Sequence, residues 1–144
     1  MITAIDTNVI LDVLIPNEAF RFLSAKAMED SAAEGSLVVC GPAYAELCCN
    51  FNSQRECDGF LQENGILVQQ LTRQSYFLAS RAWWNYRKSG GKRERILPDF
   101  MIGAHATMQA SRLPSRDGDF YAIRFPKLIV IDPSAGTTPK RPLR

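Results

Sequence analysis

Five short strand-like runs, residues 2–5, 37–40, 66–71, 113–116 and 128–132, are spaced along this chain with helix-patterned segments between them. No other feature restricts the fold as much. Runs of this length suit strands, and each gap is long enough for a crossover helix. Strands that alternate with helices must be joined by crossovers, which give a parallel sheet covered on both faces. The expectation is an α/β fold: one domain over residues 1–132, a five-stranded parallel sheet with helices on both faces, and a flexible tail at 133–144 rich in Pro, Thr and basic residues.

The punctuation between the runs supports this. Thr7 or Asn8 can cap a helix opening at Val9, and Asn17 one over 18–34, with Phe22, Ala25, Met28 and Ala32 on its buried face and Gly35 as its stop. Gly41-Pro42 turns the chain into a helix over 43–51, and Ser53 with Glu56 forms a capping box for the next. Thr72 caps a helix over 73–87, with Tyr76, Phe77, Trp83 and Trp84 along its apolar side, read as core or dimer surface rather than a base-stacking platform. Pro98 opens a last long helix over 98–110.

Composition excludes several classes. At 144 residues the chain can bury a core without metal or disulfide help. No apolar run approaches the roughly 20 residues that span a bilayer, so no membrane association is expected. Nor is there a basic segment leading to a small-residue cleavage site, which points to the cytoplasm. The four cysteines, Cys40, Cys48, Cys49 and Cys57, match no zinc spacing and are expected to be reduced there.

The acids carry the chemistry. Asp6 ends the first run, Glu46 lies about one turn into the helix after the second, Asp99 follows Pro98 in the first turn of its helix, and Asp117 ends the fourth run. In a parallel α/β sheet these positions fall on one edge, the usual place for a ligand crevice. Crowded carboxylates repel and raise one another's pKa, and a divalent cation relieves that strain. Oxygen-only ligands select a hard ion, Mg²⁺ or Mn²⁺. The net charge is +2, but with five of the 15 acids gathered in one site, 17 cations would face ten acids elsewhere, a surface suited to a polyanion. The single histidine, His105, lies six residues past Asp99 on the same helix, about 240° round, and is expected to pack away from the acids.

Ala4-Ile-Asp-Thr-Asn-Val-Ile-Leu11, Tyr44-Ala-Glu-Leu47, Pro98-Asp-Phe-Met-Ile-Gly-Ala-His-Ala106 and Ser115-Arg-Asp-Gly-Asp-Phe120 together resemble the PIN domain, and more narrowly the VapC-type toxins of prokaryotic toxin–antitoxin pairs. The resemblance implies a metal-dependent endoribonuclease, a cognate antitoxin protein and a homodimer. By position, Asp6, Glu46, Asp99 and Asp117 match the family's acidic quartet, Asp119 an extra acid found in part of it, and Thr7 or Asn8 with Ser115 the polar residues that support it. Ser115 stands where Thr is usual, and Pro114 interrupts the strand before it.

The expected reaction is attack on an RNA phosphodiester by a metal-activated water, leaving 5′-phosphate and 3′-hydroxyl ends, with Glu46 or Asp119 orienting or deprotonating the water. Arg116, and Arg93 and Arg95 from the basic loop ahead of Asp99, are candidates for phosphate contact. Two other readings compete. A receiver-type signalling domain requires an Asp at the end of the third strand, where residues 66–71 supply none. A PIN-like module that binds RNA or a partner without cleaving is the other reading, and the intact quartet disfavours it.

Overall fold

The structure, a computed structural model, describes residues 1–15, 18–93 and 95–135. The chain runs β1 (Ile2–Ala4), α1 (Thr7–Leu14), α2 (Arg21–Glu34), β2 (Ser36–Cys40), α3 (Gly41–Cys48), α4 (Gln54–Glu63), β3 (Ile66–Gln69), α5 (Arg73–Lys88), α6 (Leu97–Gln109), β4 (Leu113–Pro114), α7 (Gly118–Arg124) and β5 (Val130–Ile131). The strands are parallel, as the alternation predicts. They form a three-stranded sheet in the order β1-β2-β3 and a two-stranded sheet, β4-β5, rather than one continuous five-stranded ladder.

Pro114 accounts for the break. β4 does run beside β1, with Thr3 bridged to Arg112 and Ala4 N–H donating to the Arg112 carbonyl at 3.1 Å. Two residues on, Asp6 N–H donates to the Pro114 carbonyl at 3.1 Å. The return bond to β1 needs an N–H at residue 114, and proline has none. The ladder lapses just where the chain leaves for the acids.

The core is built from the inner strands and the faces turned toward them. Ala4, Val38, Val39, Leu113 and Val130 are buried with Val9 and Ile10 of α1 and Phe100, Ala104 and Ala106 of α6. Phe100 meets Tyr86, Phe120 and Phe125 in an aromatic group that holds α5, α6 and α7 together. Gln109, at the end of α6, accepts from Ser75 Oγ at 2.7 Å and donates to the Gln70 carbonyl at 3.0 Å, fixing α5 antiparallel to α6. Gly35 is required by close approach: a Cβ there would lie 1.9 Å from the Met1 carbonyl oxygen. Gly65, with φ at +66°, supplies the left-handed turn from α4 into β3.

Several helices are rotated from their expected faces. In α2 the buried residues are Ser24, Met28 and Ser31, while Phe22 is 79% exposed. Ser24 faces inward because its hydroxyl donates to buried Asp12 at 2.7 Å. In α5 the buried residues are Ser75 and Ala79, whose small side chains let α6 come close, and Tyr86, whose ring packs on Phe100; Tyr76, Phe77 and Trp84 are exposed and Trp83 half-buried. The caps at Ser53 and Thr72 form, each hydroxyl accepting from the third N–H of its helix. Asn17 lies outside the described residues, and α2 opens later, at Arg21. Past Asp132 the chain makes one 3₁₀ turn, Pro133–Ala135, against α2; the rest of the expected tail, 136–144, lies outside the described residues. No described helix is long and apolar enough to cross a membrane.

Candidate active site

Asp6 is the innermost of the acids. It leaves β1 at the point where α1 begins and is the helix's N-cap, its Oδ1 accepting from Thr7 N–H at 2.7 Å. The capping role expected of Thr7 or Asn8 thus belongs to Asp6 itself. Its other oxygen, Oδ2, accepts from Ser115 Oγ at 2.6 Å, and the same hydroxyl accepts from Asp117 N–H at 3.0 Å. Ser115 therefore ties the first acid to the backbone of the last, across 109 positions of sequence.

The other acids arrive on separate elements. Glu46 sits on α3 and is exposed; Asp99 is the third residue of α6 and Asp117 the N-cap of α7, both half-buried. Asp6, Asp99 and Asp117 thus lie at helix N-termini, where the partial positive charge favours carboxylates. Asp99 Oδ2 also accepts from Ile96 N–H at 3.2 Å.

Asp6, Glu46 and Asp99 each feel the charge of another acid. Burial pushes the Asp6 carboxyl up to about 7, against hydrogen bonds from Ser115 and Thr7, and the charges of Asp117 and Glu46 push it further. Glu46 is raised by desolvation and by Asp99, and Asp99 by desolvation and by Asp117. Through these influences all four residues are linked electrostatically. Tyr121, buried on α7, is held well above its ordinary range by burial and by Asp6, Asp99 and Asp117; Cys40, at the end of β2, is pushed up to about 11 by burial, with Asp6 and Glu46 adding to it. No residue-type pattern pointed to either as a neighbour of the acids.

The supporting residues divide. Thr7 Oγ1 is buried without a partner at hydrogen-bonding geometry, yet lies close enough to Glu46 to draw its pKa back down. Asn8 Oδ1 accepts from Arg116 N–H at 3.2 Å, so it shapes the loop before Asp117. Asp119 is exposed in the first turn of α7. His105 is buried with Nε2 at 2.7 Å from Gln69 Oε1, and desolvation lowers its pKa to about 4, which keeps it neutral and apart from the acids.

The arginines have different surroundings. Arg116 does not reach for the acid group: its guanidinium grips Asp12, Nε to Oδ2 at 2.8 Å and Nη2 to Oδ1 at 3.0 Å. Asp12 lies on the buried face of α1, and a carboxylate at such a position in the first helix is the one sequence signal for this partner. Arg95 lies among the acids, its Nη1 3.2 Å from Asp117 Oδ2 and its guanidinium 4.3 Å from the Phe120 ring centre, and it lowers the pKa of Asp99. Arg93 is exposed in the preceding turn.

The sequence profile of the PIN domain matches residues 3–126. The chain belongs to the PIN domain family. Solved structures of similar fold include a chain of VapBC-1 from nontypeable Haemophilus influenzae, 20% identical over 93% of this chain and 99% of that one, with a TM-score of 0.70. Another is from VapBC2 of Rickettsia felis bound to a DNA fragment from their promoter, 18% identical over 90% and 97%, TM-score 0.69. A third is VapC20 of Mycobacterium tuberculosis, a toxin that cleaves the sarcin-ricin loop, 17% identical over 97% and 99%, TM-score 0.57. Among curated proteins no sequence matches.

In this PIN domain the acid group fits a hard divalent cation by chemistry. Its donors are all oxygens, Asp6 is buried without a cation of its own, and Thr7 offers an orphaned hydroxyl. Among the described residues, no three His, Cys, Asp or Glu side chains converge closely enough to cage an ion. Mg²⁺ does not need such a cage; one or two carboxylates with waters and a substrate phosphate complete its shell.

Proposed function

We propose that this chain is a Mg²⁺- or Mn²⁺-dependent endoribonuclease, the toxin of a toxin–antitoxin pair. One observation supports the reading: carboxylates from four separate elements act on one another electrostatically, and the most buried of them, Asp6, takes its hydrogen bonds from the neutral donors Ser115 and Thr7. Asp6, Asp99 and Asp117 would hold the metal, with Glu46 direct or through water. The bound ion would make a coordinated water more acidic and offset the charge of a scissile phosphate. Glu46, the most exposed of the four and with a raised pKa, or Asp119 would take the water's proton. Ser115 and Thr7 N–H hold the Asp6 carboxylate in one orientation while this happens. In-line attack leaves 5′-phosphate and 3′-hydroxyl ends.

The antitoxin partner and a homodimer are part of the same proposal. Their support is the likeness of fold to chains from VapBC complexes, together with the PIN domain match. The proposal extends to the sheet: β4 beside β1 would join the two sheets in the order β3-β2-β1-β4-β5, a reading supported by the hydrogen bonds from Ala4 N–H to Arg112 and from Asp6 N–H to Pro114.

A second reading, a PIN-like module that binds RNA without cutting it, is favoured by the Arg95–Asp117 contact, which fills part of the acid group with a cation of the chain's own. One experiment separates the two. Purified protein is incubated with structured RNA and Mg²⁺ or Mn²⁺, with EDTA and Asp6→Asn as controls. Cleavage that depends on metal and on Asp6 is expected; cleavage that persists in EDTA refutes the metal mechanism, and binding without cleavage in either metal supports the second reading.

A further inference from the structure

Away from the acid oxygens, at the junction of α3 and α4, two thiols face each other. Cys48 is the last residue of α3 and Cys57 the fourth of α4. Their sulfurs are 3.8 Å apart, and both cysteines are free. A disulfide bond measures about 2.05 Å, so the pair must close by less than 2 Å, a distance that side-chain rotation and a small helix shift supply. We propose that Cys48 and Cys57 form an oxidisable dithiol, a modification site at which a low-molecular-weight disulfide such as oxidised glutathione drives an intrachain cross-link from α3 to α4.

Exposure sets the order of events. Cys57 is fully buried, while Cys48 is half-buried and reachable from solution. The Cys48 thiolate attacks one sulfur of the reagent disulfide; that S–S bond breaks, and the departing thiolate takes up the proton Cys48 released. Cys57, already beside Cys48 Sγ, then attacks it, expels the second reagent thiolate and passes its own proton to it. Two electrons move from the pair to the reagent: one protein disulfide and two free reagent thiols result. The second step is intramolecular, which gives the buried partner an effective concentration far above any thiol in solution. Neither of the other cysteines competes for Cys57. Cys40 is buried at the end of β2, and exposed Cys49 has its sulfur 3.6 Å from the Ala45 carbonyl of its own helix.

The cross-link would close a short loop and clamp the helix that carries Glu46 to its neighbour. Arg55 lies between the two cysteines, so trypsin places them on separate peptides. The full-length chain is equilibrated with excess oxidised glutathione, denatured with a maleimide present, and mapped by mass spectrometry without reductant. The expected result is a loss of about 2 Da, two thiols of four left to label, and a dithiothreitol-sensitive link between the Cys48 and Cys57 peptides. The link should vanish in Cys57→Ser and persist in Cys49→Ser, and oxidation should raise the Tm of the unaltered chain. Four reactive thiols, a glutathione adduct on Cys48 that never resolves, or a link through Cys49 or between chains would each overturn the assignment. Cys40, Cys48 and Cys49 share the tryptic peptide 27–55, so fragmentation of the linked peptides of the unaltered chain tells which of them is joined to Cys57, and this decides the assignment even where a variant fails to fold.

Discussion

Asp6 and Asp12 lie six residues apart at the start and within α1, and both side chains are buried. Their surroundings are opposite. Asp12 has two hydrogen bonds from the Arg116 guanidinium and one from Ser24, so its charge is matched inside the chain. Asp6 has two neutral donors and other acids nearby, and its carboxyl is pushed up to about 7. A buried carboxylate with a cation is a structural part. One left without a cation and kept among like charges marks a place where the compensating charge comes from outside.

The most severe test of that contrast is activity. Asp6→Asn and Asp99→Asn should each lower metal-dependent RNA cleavage by about 10³-fold with the fold retained, read by circular dichroism and a gel assay. Asp12→Ala should act on stability instead. It strands the Arg116 guanidinium, and because that group is 30% exposed the cost is about 2 kcal/mol rather than the 3–5 typical of a fully buried pair. Denaturant unfolding should show the loss, and Mg²⁺ affinity should stay within about twofold. An Asp12→Ala chain that folds normally but loses metal would erase the distinction.

Proton linkage probes Asp6 directly. The folded value of Asp6, about 7, lies above the ordinary carboxylate value of 3.8. Between the two the folded chain holds more protons than the unfolded one, so stability falls as pH rises through that window. Glu46 and Asp99 are shifted in the same direction. In EDTA, the Tm should drop by roughly 5 °C between pH 5 and pH 8, and Asp6→Asn should remove most of that slope. Mg²⁺ affinity should rise over the same range.

Arg95 gives the smallest effect. Its 3.2 Å contact with Asp117 is partly exposed and worth well under 1 kcal/mol. Arg95→Ala should tighten divalent binding by about threefold in calorimetry, because the ion no longer displaces a guanidinium. Weaker binding in that variant would return Arg95 to the role of phosphate contact.

Much of the site's framework was legible because it depends on local rules. A short apolar run that ends at Asp6, prolines at helix starts and the placing of acids at element ends follow from strand and helix chemistry. Helix faces were less legible. Phe22 read as core and Phe77 as core or dimer surface, yet the helices turn inward on Ser24 and Ala79, where a hydrogen bond or close helix contact suits a small residue. Burial of an amphipathic helix is chosen by what it packs against, and hydropathy alone does not contain that.

By itself, then, the sequence determined the parallel α/β class and which carboxylates stand at element ends, since both follow from residues within a few positions of each other. Only the tertiary structure decided which cation each carboxylate meets. Arg116 joins Asp12 across 104 positions, and Arg95 joins Asp117 across 22. Charge pairing acts through space over a few ångströms, and the chain must fold before that distance exists.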